Sequence, residues 1–227
     1  MSVKSRKSED VRRAELIAAT IREIGASGTL EVTTSQIAKS AGVSPGLAFH
    51  YFNDKEGLFL AAMRSILTDY GRDVRLALKG TRSEDERLRA IVHASFGMTS
   101  FRREAISAWV NFYALALRSV PARRLLYIYH RRLHSNLVHA LRPKIDGHAP
   151  DVARRAAGLI DGLYLRYALD TASAHRTGRA LIGKVDGSEG AKDVLRAIAA
   201  ECAVLRDASE LTISTRPPAL LAPNPRT

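Results

Sequence analysis

Cysteine is almost missing from this 227-residue chain. The single one, Cys202, excludes an intrachain disulfide and fits a reducing compartment. Long apolar runs are missing too: none reaches the ~20 residues that a membrane-spanning helix needs. The start, MSVKSRKSED, is basic, but no apolar stretch follows it. It does not read as a signal peptide, and the cytoplasm is the expected compartment. Acidic residues are in deficit, with 23 Asp and Glu against 35 Lys and Arg, a net charge of +12. That excess fits a polyanionic partner, or equally an anionic membrane surface. Strand-type alternation is scarce, while Ala, Leu and Arg dominate, so the chain reads as nearly all helix. Its length allows one or two helical domains with a real core.

The densest signal lies in residues 33–58, TTSQIAKSAGVSPGLAFHYFNDKEGL. Thr33 can cap a helix, and Gln36 three residues on completes a capping-box pattern. Ile37, Ala38 and Ala41 give that short helix an apolar face. Gly42 supplies the positive φ of a sharp helix end, and Val43 can plug the corner. Ser44 caps a second helix, with Pro45 at its first position, where a missing N–H costs nothing. Leu47, Ala48, Tyr51 and Phe52 carry it to Asn53, and Asp54 can cap the helix that opens at Lys55. This is helix-turn-helix grammar, in which the second helix enters the major groove of double-stranded DNA. The competing reading is an ordinary helical corner, but caps, turn glycine and N1 proline all occur in register.

Periodicity predicts a first helix over 8–26, with Val11, Ala14, Ile17, Ala18, Ile21 and Ile24 as its stripe. Further helices are expected over 55–78, 84–96, 102–117, 121–141, 151–170 and 191–207. Residues 143–150 read as a loop. Gly178, Gly183, Gly187 and Gly190 mark a long, flexible connection, and the Pro-rich tail reads as disordered.

AGVSPGLAFHYFNDKEGL resembles the DNA-binding signature of TetR-type regulators, in which Gly-Val-Ser, a short recognition helix and Tyr-Phe precede a Lys-Glu-x-Leu helix start. The resemblance implies an all-α chain. A three-helix helix-turn-helix domain over 1–54, with a basic arm at 1–8, would precede a helical effector-binding and dimerisation domain over 55–210 and a tail over 211–227. Ser44, Pro45, Gly46, Leu47 and His50 are expected to face the groove, and Thr34 and Ser35 suit a phosphate at a helix N-terminus. Tyr51 and Lys55 match positions that grip the DNA backbone in the family. Lys4, Arg6, Lys7, Arg12 and Arg13 form either a mobile arm on DNA or a solvated terminus. The recognition helix itself carries no Arg, Lys, Asn or Gln, so specificity should lean on shape and apolar contacts.

AISAWVNFYALALRSVPARRLLYIYHRRLHSNLVHALRP and AAGLIDGLYLRYAL resemble the regulatory domain of the BetI subfamily, choline-responsive repressors of glycine-betaine synthesis genes. Trp109, Phe112 and Tyr113 share one predicted helix, Tyr127 and Tyr129 the next, and Asp161, Tyr164 and Tyr167 the one after. Aromatic faces with one carboxylate hold a quaternary ammonium, which donates no hydrogen bonds. The same rings can also simply fill a helical core. The resemblance implies an effector site at Trp109, Tyr113, Asp161 and Tyr164, with choline or a related quaternary ammonium as ligand. Leu195, Ile198, Cys202 and Leu205 form a narrow seam, and Leu159, Gly162, Leu163 and Arg166 a second stripe. Either these pair with a second copy in a four-helix homodimer interface, or the seam is buried within the monomer.

Other signals fail on their chemistry. Residues 178–184 match most of a phosphate loop, but Val185 replaces the hydroxyl that binds magnesium. His130 and His134 have metal-ligand spacing, yet Arg131 and Arg132 separate them and no Glu does, so no metal site is expected. No catalytic triad or carboxylate pair is evident, and no cofactor is expected. The expectation is a ligand-responsive dimeric repressor on a palindromic operator. A regulator with another cationic or aromatic effector, or an effector-free DNA-binding dimer, is the alternative.

Overall fold

The computed structural model describes residues 2–97, 103–177 and 187–214, except for the side chains of 2–8, 103, 168, 170–177 and 209–214. Every regular element among the described residues is a helix. In chain order they are α1 (Ser2–Ser27), α2 (Thr34–Ser40), α3 (Pro45–Phe52), α4 (Lys55–Leu78), α5 (Glu84–Ser95), α6 (Arg103–Arg118), α7 (Val120–Ile145), α8 (Ala149–Thr177) and α9 (Gly187–Ser214). None of the described helices is long and apolar enough to cross a membrane.

α1 buries Leu16, Ala19, Thr20 and Ile24, while Val11, Ala14 and Ala18 are exposed. The apolar stripe is therefore rotated from the one periodicity suggests. Thr20 can sit in it because its hydroxyl donates to the Leu16 carbonyl at 2.8 Å. This face packs on α2, α4 and α6. Gly25 marks the tightest approach: a Cβ there would lie 2.5 Å from the Glu104 Cα, so the first turn of α6 rests directly on the end of α1.

α7 and α8 lie side by side, with α5, α6 and α4 packed around them and α9 closing the far side against α5 and α8. The 143–150 segment is not a loop. Pro143 sits in the last turn of α7, where a missing N–H removes a single ladder bond. A 3-10 turn at Asp146–His148 then leads straight into α8. α8 and α9 each outrun their expected limits, and α9 starts at Gly187 and continues into residues 211–214, which the sequence assigns to the tail. The remainder of that tail, Gly178, Gly183 and the candidate phosphate loop lie outside the described residues.

The seam on α9 finds its partner inside the monomer. Ile198 is 3% exposed and Cys202 6%, and Leu195 and Leu205 pack against the same core. Of the two readings of this stripe, burial within the monomer accounts for most of the Ile198 and Cys202 surface: a three-four stripe records that a helix face is covered, not by which chain. Leu159 and Leu163 are also half-buried against the core. What α8 leaves open is the neighbouring face, with Gly162 free of neighbours and Leu165 and Leu169 exposed.

Candidate DNA interface and effector site

Local hydrogen bonds build the helix-turn-helix. The Gln36 amide donates to Thr33 Oγ1 at 3.1 Å and the Thr33 amide to Gln36 Oε1 at 2.7 Å, a complete capping box. Gly42 turns the chain at φ +68°. Ser44 Oγ accepts from the Leu47 amide at 3.3 Å, with Pro45 at N1. Asn53 ends α3 at φ 62°, and Asp54 Oδ1 then accepts from the Gly57 amide at 2.6 Å to start α4. Ala48 and Phe52 anchor α3 in the core.

That anchoring decides which side chains α3 presents. Ser44, Pro45, Gly46 and His50 are exposed, and Leu47 and Tyr51 half-buried. Tyr51 packs its ring edge-on to His50 at 5.5 Å. On α2, Ser35 is exposed and Thr34 half-buried. Phe49, which the sequence reading left out, stands 49% exposed on the same helix. Its signal was available: with Ala48 and Phe52 inward, a helix of 3.6 residues per turn turns Phe49 out. Lys55 lays its ammonium 5.3 Å over the Phe59 ring, which holds the charge at the head of α4. Arg13 belongs to α1 and not to a loose arm: its guanidinium stacks 4.9 Å from the Phe52 ring, beneath α3. The side chains of Lys4, Arg6 and Lys7 lie outside the described residues.

A second constellation lies between α4, α5, α6, α7 and α8. Trp109 meets Tyr113 edge-on at 5.6 Å and Tyr129 at 5.0 Å, and Tyr129 meets Tyr70 at 5.5 Å. Tyr164 stacks on Phe96 at 5.6 Å and donates to the Ser95 carbonyl. Tyr70 reaches the Ser95 hydroxyl at 3.1 Å. Tyr70, Ser95, Trp109, Tyr129 and Tyr164 line a cavity of about 30 Å³, room for roughly two waters.

Tyr113 and Asp161 form the next layer outward. His130 Nε2 meets both, 3.2 Å from Tyr113 Oη and 3.3 Å from Asp161 Oδ2, and the Tyr113 hydroxyl also donates to the Asp161 carboxylate. Asp161 Oδ1 is buried with no hydrogen-bond partner among the described residues. Burial, with the Asp161 charge adding to it, holds the Tyr113 hydroxyl well above the ordinary tyrosine range. Burial does the same to Tyr164 and Tyr129, with nearby tyrosines and Asp161 adding to it. It also pushes Tyr70 up to about 12. The four residues read from the sequence, Trp109, Tyr113, Asp161 and Tyr164, thus share one neighbourhood. Tyr129 was noted without being assigned, and Tyr70 was missed because its ring arrives from α4, far along the chain. Tyr127 is 61% exposed and lines the outer cleft beside His130 rather than the ring-lined cavity. His134 turns to the Pro150 carbonyl at 3.0 Å rather than joining His130, and the described residues hold no cluster of three metal-ligating side chains.

Side-chain bonds tie the two regions together. Ser119 Oγ caps α7, accepting from the Ala122 amide at 3.2 Å, and donates to Glu56 Oε1 at 2.5 Å in the first turn of α4. Asn111 adds a bond from α6 to the Gly28 carbonyl beyond α1, at 3.2 Å.

Comparison with known proteins matches both regions. Residues 16–62 match the bacterial regulatory proteins of the tetR family, and residues 84–184 match the BetI-type transcriptional repressor C-terminal family. The HTH-type transcriptional regulator BetI of Brucella abortus is 49% identical over 172 residues, covering 73% of this chain and 87% of that protein. This chain belongs to the BetI-type branch of the TetR family. It is a helix-turn-helix transcriptional repressor and not an enzyme, as its matched families and relatives are regulators. Regulators of this kind bind DNA and small-molecule effectors, typically as dimers. Solved structures of low sequence identity share the fold. A transcriptional regulator from Pseudomonas aeruginosa PAO1 has a TM-score of 0.71 at 22% identity, over 87% of this chain and 94% of that one. A transcriptional regulator from Saccharomonospora viridis, solved in complex with choline, has a TM-score of 0.67 at 19% identity, over 82% and 95%.

Proposed function

We propose that this BetI-type repressor binds a palindromic operator as a homodimer in the cytoplasm and releases it on binding choline or a related quaternary ammonium. The observation that carries the effector is the cluster of Trp109, Tyr113, Tyr129, Tyr164 and Tyr70 with the carboxylate of Asp161 at its outer edge. Ring faces attract a cation that lacks N–H groups, and Asp161 supplies the countercharge. The resemblance to choline-responsive repressors read from the sequence points to the same ligand class, and one regulator of similar fold is solved in complex with choline.

For DNA, the reading assigns Ser44, Pro45, Gly46, Leu47 and His50, with Phe49 added, to the groove, and Thr34, Ser35, Tyr51 and Lys55 to the backbone. The dimer is drawn from the open face of α8, where Leu165 and Leu169 lie exposed beside Gly162, and from α9, where Val204 is exposed. Two such subunits would offer recognition helices to major grooves about 34 Å apart.

Effector and operator are tested together. Choline added to the protein on a labelled operator should change Trp109 emission and release the DNA over one concentration range. An unmoved emission with the operator still bound sinks the choline assignment. An effector with no preference for the released conformation shifts nothing, so binding without release would point to another ligand.

A further inference from the structure

His130 stands where a cation would stand. Its ring centroid is 6.0 Å from that of Tyr113 and 5.2 Å from that of Tyr129, and its Nε2 meets Asp161 Oδ2 at 3.3 Å. Two aromatic neighbours and a carboxylate around a nitrogen base repeat the chemistry that holds an ammonium group. Asp161 is only half used, because its buried Oδ1 has no partner among the described residues. A partly buried carboxylate without full countercharge is costly, and a cation seated against both oxygens would offset its charge.

The existing cavity is too small to take the head group unaided. At about 30 Å³ it must be enlarged, and Trp109, Tyr129 and Tyr164 are buried and held by one another or by Ser95. His130 is the wall that can leave. Its side chain is 41% exposed and borders an outer cleft of about 470 Å³ between α7 and α8. Gly158 on that cleft has nothing within 4 Å of its Cβ position, which leaves room for a swung imidazole. The other charged or titratable groups lining the cleft are Tyr127, Arg131, His134 and Arg154, so Asp161 is its one carboxylate. Arg154 is tied to Asp151 at 2.8 Å and His134 to the Pro150 carbonyl.

We propose that His130 is the resident occupant of the effector's cation site, and that a quaternary ammonium binds by displacing its imidazole from Asp161. This rests on the quaternary-ammonium reading above. Displacement makes the site selective. A ligand must satisfy Asp161 better than the imidazole does and cover the tyrosine faces with apolar groups, which a fixed positive charge clothed in methyls does.

The test titrates choline and its uncharged tert-butyl analogue into wild type, His130→Ala and Asp161→Asn, reading Trp109 emission. His130→Gln repeats the experiment should the alanine variant fold poorly. Removing the resident imidazole should tighten choline by about tenfold and the uncharged analogue by less, and Asp161→Asn should abolish the preference for the cation. Equal or weaker choline binding in both His130 variants overturns displacement while leaving the effector reading in place. No choline response in any protein removes the effector reading instead. A double-mutant cycle on His130 and Asp161, by urea unfolding without ligand, then decides: measurable coupling keeps His130 as the countergroup of Asp161, and additivity overturns it.

Discussion

Ser119→Ala removes two bonds at once, and their sizes follow from where they lie. The hydroxyl caps α7, and loss of a serine N-cap costs about 1 kcal/mol. It also donates to Glu56, and a hydrogen bond to a charged group contributes about 1.5–3 kcal/mol. Glu56 is exposed and can turn to water, so the lower end applies. The sum is about 2–3 kcal/mol, which for a chain of this size lowers the melting temperature by about 4–12 °C. Glu56→Gln should lose only the shared part, so a cycle of the two substitutions in urea should show coupling of about 1 kcal/mol or more. The functional readout is sharper. Ser119 is the direct side-chain tie from the first turn of α7 to the first turn of α4, and α4 is the helix that begins at the end of α3. The alanine variant should still report choline through Trp109 while needing more of it to release the operator. Additive stabilities within about 0.5 kcal/mol, or a release curve superposed on that of wild type, would refute the reasoning.

Other perturbations reach the remaining parts of the proposal. Lys55→Ala should weaken binding to all DNA sequences alike and reduce the salt slope by about one; electrophoretic shifts at a series of salt concentrations measure it, and an unchanged slope takes Lys55 off the phosphates. Leu165→Glu together with Leu169→Glu should yield monomers in sedimentation and abolish tight operator binding while leaving the helical circular dichroism intact; a surviving dimer moves the interface elsewhere. Tyr70, raised by burial to about 12, should remain protonated well above the ordinary tyrosine range. Its folded value exceeds its unfolded one, so its contribution is complete below about pH 10 and is lost as pH climbs through about 12. Urea midpoints across that interval should fall, and fall less in Tyr70→Phe; phenolate absorbance that develops near pH 10 for all tyrosines would contradict the burial.

The parts of this fold that were legible in the sequence are those governed by neighbours in the chain. Thr33 with Gln36, Gly42, Ser44 with Pro45, and Asp54 each act within three or four residues, and each does in space what its type dictates. Phase was harder. Leu16, Thr20 and Ile24 are fully buried while Ile17 and Ile21 of the expected stripe are only half-buried, and the packing of α2, α4 and α6 on α1 sets that phase. Partner identity was harder still: Ile198 and Cys202 announce a covered face, and nothing local says that α5 and α8 of the same chain cover it. In the effector cluster, Trp109 and Tyr113 were visible as one turn of one helix. Tyr70, Ser95 and His130 come from three other helices, and their assembly is a property of the bundle.

The cavity among the rings has a consequence in time. It holds roughly two waters, so on the proposed reading a ligand of choline's size would enter when side chains such as His130 part. Entry then proceeds at the frequency of that parting rather than at the frequency of collisions.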